Sequence, residues 1–130
     1  MPSIFSRIVA GEIPCYKVAE DDRYLAFLDV NPLVLGHVLV IPKRETDYLF
    51  DLEDGEYSGL MMFSKKVAVG LKKAVPCKRI GVAVIGLEVP HAHVHLVPMQ
   101  TMSDINFTMP KKQFPTETMQ ELALAISTQI

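Results

Sequence analysis

At 130 residues the chain is long enough for one domain that buries roughly two-thirds of its unfolded surface, and too short for two. Hydrophobic residues at 49% and charged residues at 22% lie near the globular average, which excludes a disordered or fibrous polypeptide. Thirteen Lys plus Arg against fifteen Asp plus Glu leave a net charge of −2, so the chain has no basic footprint for nucleic acid.

The N-terminal residues Met1-Pro2-Ser3-Ile4-Phe5-Ser6-Arg7 lack the basic head and long apolar core of a secretion signal. They predict a short helix instead: Ser3 caps it, Ile4, Phe5, Ile8 and Val9 give it an apolar side, and Gly11 ends it. Cys15 to Glu20 and Tyr24 to Asp29 read as two extended runs joined at Asp21-Asp22, a hairpin that Asn31-Pro32 interrupts. Cys15 and Cys77 belong to no Cys-x-x-Cys pair, so no disulfide, redox motif or metal knuckle is expected. His37 to Ile41 is almost wholly apolar and predicts a central strand closed by Pro42. Its surroundings form the longest apolar run, about six residues against the ~20 that cross a bilayer, so no membrane association is expected.

One long helix is predicted over Asp51 to Val75, stopped by Pro76. Tyr57, Leu60, Met61, Ser64, Val67, Ala68, Leu71, Ala74 and Val75 recur at three-four spacing and make one apolar face with a single polar break. The Met61-Met62 pair reads as core filling, and Gly59 and Gly70 inside the helix suggest close packing. Strands are predicted at Arg79 to Ile85 and His91 to Val97, and a last helix over Thr116 to Ile130 with Pro115 before it. That order fits an antiparallel sheet of about five strands with helices on one side, in an α+β fold. The composition as a whole predicts a soluble cytoplasmic protein.

The informative stretch is His91-Ala92-His93-Val94-His95-Leu96-Val97. Alternate residues of a strand share a face, so His91, His93 and His95 line up while Ala92, Val94 and Leu96 turn to the core. Imidazoles in such a row can share a metal ion, with Glu88 and His37 as recruits. They can equally act on phosphorus. A neutral imidazole attacks phosphorus, its phosphoramidate hydrolyses readily, and flanking rings can hydrogen-bond the phosphoryl oxygens. Catalysis is the reading preferred here.

The seven-residue stretch resembles the hallmark of the histidine-triad (HIT) family, His-φ-His-φ-His-φ-φ with φ apolar. Ile4-Phe5-Ser6-Arg7-Ile8, Gly11-Glu12-Ile13-Pro14, Glu20-Asp21-Asp22, Leu25-Ala26-Phe27-Leu28-Asp29 and His37-Val38-Leu39-Val40-Ile41-Pro42-Lys43 resemble its N-terminal half, so the likeness spans nearly the whole chain as a single domain. It implies a HIT-like core over about residues 4–108 with a helical tail over about 115–130. It also implies a nucleotidyl hydrolase or transferase needing neither metal nor cofactor. By this resemblance His93 is the nucleophile, His95 hydrogen-bonds the α-phosphate, His91 positions the nucleophile, and His37 is a fourth histidine behind the triad. Asp29 would accept hydrogen bonds from the ribose hydroxyls, and Ile4, Phe5, Ile8, Phe27, Leu28 and Val30 would form the base pocket. A homodimer joined through its sheets, with the long helix near the interface, is likewise implied.

The chain departs from the family pattern at several points. Ser3 and Ser6 stand where many bacterial members have the Cys-x-x-Cys of a structural zinc site, so no zinc is expected. Val82-Ala83-Val84-Ile85-Gly86 replaces an Asn-rich turn, Glu88 replaces a Ser or Thr on the leaving-group side, and there is no Trp. A carboxylate at that place repels phosphate unless it is protonated or pairs with a leaving amine. The expected function is therefore a Hint-like hydrolase of purine nucleoside phosphoramidates. Cleavage of dinucleoside polyphosphates, or nucleotide-dependent regulation with weak catalysis, are the alternatives.

Overall fold

The computed structural model describes residues 2–130. Helix α1 (Ile4–Val9) is followed by strands β1 (Lys17–Glu20), β2 (Tyr24–Leu28) and β3 (Val38–Pro42), then the long helix α2 (Asp54–Ala74). Strands β4 (Arg79–Ala83) and β5 (Val94–Met99) and helix α3 (Thr116–Ser127) complete the chain, with short 3-10 turns at Leu49–Asp51 and Met102–Ile105. The five strands form one antiparallel sheet in the order β1-β2-β3-β5-β4. The α+β class expected from the sequence is the class observed.

Alternation along the strands sorts side chains onto two faces. Tyr24, Ala26, Leu28, Val38, Val40, Val94 and Leu96 join Leu60, Val67 and Leu71 of α2 and Met119, Ala123 and Ile126 of α3 in the main core. Leu25, Phe27, Leu39 and Ile41 point the other way and meet Phe5 of α1 in a smaller cluster. Helices therefore lie on both faces, not one. Helix α1 is only six residues long, and Phe5 is its buried anchor. Being so short, it leaves much of its side of the sheet open for a site.

Several boundaries differ from the periodicity. The long helix begins at Asp54 because Leu52 is extended, and Leu49 and Leu52 are buried in a separate turn ahead of it. Phe63 is on its buried face and Met62 is exposed, so only Met61 of the methionine pair fills space against the core. Ser64, the polar break, is buried and donates its hydroxyl to the Leu60 carbonyl at 2.8 Å, which removes the cost of a bare hydroxyl. Acidic Asp54 and Glu56 at the start and Lys72 and Lys73 at the end complement the helix dipole. Both cysteines are free. Among the described residues no helix is long and apolar enough to cross a membrane.

Candidate active site

The predicted strand from His91 begins only at Val94. His91 N–H bonds back to the Val89 carbonyl and Ala92 N–H to the Thr46 carbonyl, so these residues are tied into loops rather than into the ladder. The two-residue alternation nevertheless persists. Phe5 of α1 stands edge-on to both His91 and His93, while Val94 and Leu96 lie in the main core. The His93 and His95 ring centroids are 4.9 Å apart.

Each ring has a distinct hydrogen-bonding assignment. Nδ1 of His93 donates to the His91 carbonyl at 2.7 Å, so in the neutral ring Nε2 carries the lone pair. The Leu33 N–H donates to Nδ1 of His37 at 3.1 Å, which puts the proton of neutral His37 on Nε2. Nε2 of His37 then donates to Nδ1 of His95 at 2.9 Å, leaving the Nε2–H of His95 as a donor. His91 differs from the others: its Nε2–H donates to the Pro42 carbonyl at 2.7 Å, and its Nδ1 accepts from the Ser3 hydroxyl at 2.8 Å. With 0% exposure and both nitrogens engaged, His91 has nothing to offer a substrate directly.

A polar cluster beneath α1 supports His91. Ser3 Oγ also accepts the Ser6 N–H and so caps the helix, as its sequence position predicts. The Glu45 carboxylate accepts from Ser3 N–H at 2.6 Å and from the Ser6 hydroxyl at 2.7 Å. Those two donors, the backbone one first, hold the Glu45 carboxyl below the usual carboxylate range. These are the positions compared above with a family zinc site; here Ser3, Ser6 and His91 are joined by hydrogen bonds.

Burial is the main force on the histidine protonation states. It pushes His95 down to about 4 and His37 down to about 3, with the neighbouring His93 and Lys111 acting in the same direction. Burial also lowers His91, although the Pro42 carbonyl and Glu45 oppose it. Asp29 Oδ1 accepts the Asn31 N–H at 2.9 Å, closing the Asn31-Pro32 turn, while Oδ2 lies 3.8 Å from Nε2 of His37. Burial raises the Asp29 carboxyl despite that N–H bond and the nearby positive charge of Lys111. Asp29, His37 and His95 are also close enough for a metal ion to bridge them. The His37–His95 pair, however, faces nitrogen to nitrogen at hydrogen-bond distance with a proton assigned between them, which suits proton sharing better than joint ligation.

A cavity of about 380 Å³ opens on this face. His93, His95, Asp29, Glu88, Ile4, Phe5 and Val30 line it, all of them named from the sequence. His37 and His91 stand behind the wall, as do Ile8 and Phe27, which pack in the small cluster around Phe5. Leu28 is a correction: strand alternation turns it into the main core with α2 and α3, on the opposite face, so it cannot contact a ligand here.

Ile85 and Gly86, from the stretch that replaces the family's Asn-rich turn, complete the wall with Leu39, Leu87, Val89, Asn31, Phe107 and Lys111, which sequence reasoning missed. Phe107 and Lys111 lie between β5 and α3 in a segment with no periodicity to mark it. A larger groove of about 620 Å³ between β1 and α3 includes Cys15 and Tyr16 but none of the histidines.

The HIT-domain family model matches residues 10–102. The chain belongs to the histidine-triad family. A HIT-like protein of Borreliella burgdorferi is 36% identical over 135 residues, covering 98% of this chain and 97% of that protein. The adenosine 5′-monophosphoramidase of Schizosaccharomyces pombe is 38% identical over 100 residues, covering 75% of this chain and 74% of that enzyme. Among solved HIT structures, a HIT-like protein involved in cell-cycle regulation from Bartonella henselae superposes with a TM-score of 0.85 at 31% identity, covering 98% of this chain and 96% of that one. The triad, its supporting hydrogen bonds and the cavity thus occur in a fold shared with this family over nearly the full chain.

Proposed function

We propose that this HIT protein hydrolyses purine nucleoside phosphoramidates at the α-phosphorus, in two displacements through a nucleotidyl-histidine. The observation that carries the reading is the Nδ1–H bond from His93 to the His91 carbonyl, which leaves Nε2 as a lone pair in a ring that lines the cavity. In the first step the His93 Nε2–P bond forms as the P–N bond breaks, and the amine departs with a proton taken from solvent. In the second, water attacks phosphorus and gives a proton back to solvent, the Nε2–P bond breaks and the mononucleotide leaves. His95 donates its Nε2–H to a phosphoryl oxygen, and His37 fixes that tautomer from behind. His91 acts through its carbonyl as a positioning residue.

Asp29 has one carboxylate oxygen committed to its own turn and the other available to a ribose hydroxyl. Ile4, Phe5 and Val30 offer the base an apolar wall. Glu88 favours a phosphoramidate over a polyphosphate: beside the reacting phosphorus, a carboxylate repels a polyanionic leaving group and attracts an amine. The identity of the S. pombe relative supports the same choice. The reading includes a homodimer, since β4 is a sheet edge with Val82 outward and α2 exposes Met62 and Val69.

The test is release of AMP from adenosine 5′-phosphoramidate with excess chelator, alongside His93→Ala. Chelator-resistant turnover that the substitution abolishes supports the reading. Turnover lost to chelator would reassign the histidines to a metal, and AMP binding without turnover would make the protein a nucleotide-binding module.

A further inference from the structure

The cavity presents an electrostatic problem that the histidines do not solve. A nucleotide carries negative charge to a wall that already holds the carboxylates of Asp29 and Glu88. Among the described residues of that wall, Lys111 is the one Lys or Arg.

Its segment is built to stay there. Asn106 Oδ1 accepts from the N–H and the hydroxyl of Thr108, and Met109 N–H closes the turn on the Asn106 carbonyl. Lys112 N–H then bonds the Pro32 carbonyl at 2.9 Å, tying the segment to the turn that carries Asp29 and Asn31. Phe107 packs edge-on against His95, with centroids 4.7 Å apart, and against His37 at 6.3 Å. The Lys111 ammonium lies 5.1 Å from the centre of the Phe107 ring. A cation is thereby held over the aromatic ring that itself covers the His37–His95 pair.

We propose that Lys111 is a substrate-binding residue whose ammonium meets the α-phosphate, so that the cavity selects a nucleoside phosphate over the bare nucleoside. The inference rests on the nucleotide reading above. It gives the segment after β5 two tasks: Phe107 excludes water from the paired histidines, and Lys111 supplies a fixed positive charge to a wall that holds two carboxylates.

Calorimetric titration of the full chain with AMP and with adenosine tests it, using wild type, Lys111→Met, Lys111→Arg and Lys112→Met. Loss of one charge-assisted contact predicts that Lys111→Met weakens AMP binding about tenfold, while adenosine binding is unchanged. The salt dependence of AMP binding becomes flatter in that variant. Arginine at the same position restores most of the affinity, and Lys112→Met behaves as wild type. Equal AMP affinity and salt dependence in wild type and Lys111→Met would overturn the inference alone. So would equal weakening of AMP and adenosine, which marks a structural role. A wild-type protein that binds neither compound would remove the nucleotide reading, and this inference with it.

Discussion

Ser3 serves two partners at once, taking the Ser6 N–H as a helix cap and giving its hydroxyl proton to Nδ1 of His91. Ser3→Ala should therefore cost more than an ordinary cap, about 2 kcal/mol in urea unfolding, because a buried ring nitrogen also loses its donor. The same variant should lower kcat several-fold with little change in KM, since the His91 carbonyl orients the nucleophile without touching substrate in this reading. The paired histidines make a pH prediction. His37 and His95 are neutral in the fold down to about 3 and about 4, against 6.5 for an unperturbed ring. Below that ordinary value the unfolded chain binds more protons than the folded one. Stability is thus full above it and falls with acidification, by up to ~1.4 kcal/mol per pH unit for each ring. Thermal unfolding followed from neutral pH to pH ~4 should show this loss, and His37→Asn should make it shallower by about one proton.

At the scale of elements, the interruptions in α2 are more informative than its periodicity. A Cβ on Gly59 would lie 2.0 Å from the Tyr24 hydroxyl, which donates to the Glu56 carbonyl, so the helix rests against β2 only because that position is bare. Gly59→Ala is expected to destabilise the protein by about 2 kcal/mol in denaturant unfolding. Gly55→Ala, with nothing within 4 Å of the added carbon, should be neutral or stabilising by up to ~1 kcal/mol. Gly70 is similarly crowded, by Ile130 and the Gln129 carbonyl at the C-terminus. Close packing at both interior glycines was legible from their cost to a helix; which neighbour filled the space was not. The helix start was misplaced because Asp51 and Glu53 are good first-turn residues wherever the helix begins, whereas Leu49 and Leu52 set the true entry by burying in the core.

For the whole molecule, the open edge at β4 is the feature with the clearest consequence. Val82, at 54% exposure, lies on an edge strand paired only on its β5 side, and a second copy would satisfy both its apolar surface and the backbone groups along the open edge. Sedimentation should give a dimer for the wild-type chain and a monomer for Val82→Lys; a wild-type monomer would sink the proposed assembly.

The sequence by itself determined the strand and helix types, the α+β class and the histidine row, because alternation and three-four spacing are local rules written into adjacent residues. It also marked Ser3 as a cap, for the same local reason. Only the tertiary structure decided which face each side chain serves. Leu28 and Asp29 are neighbours in the chain, yet one enters the main core and the other lines the cavity. The roles of two histidines likewise rest on partners distant in sequence, Pro42 and Ser3 for His91 and His37 for His95, whereas His93 and His37 take their tautomers from the nearby His91 carbonyl and Leu33 N–H. Lys111 comes from a segment with no period at all, and reaches the site because the fold carries it back across the sheet to Pro32. Periodicity reports which side of an element is apolar; the hydrogen-bond partner that fixes a tautomer, or the cation that meets a phosphate, depends on contacts formed only when distant segments pack together.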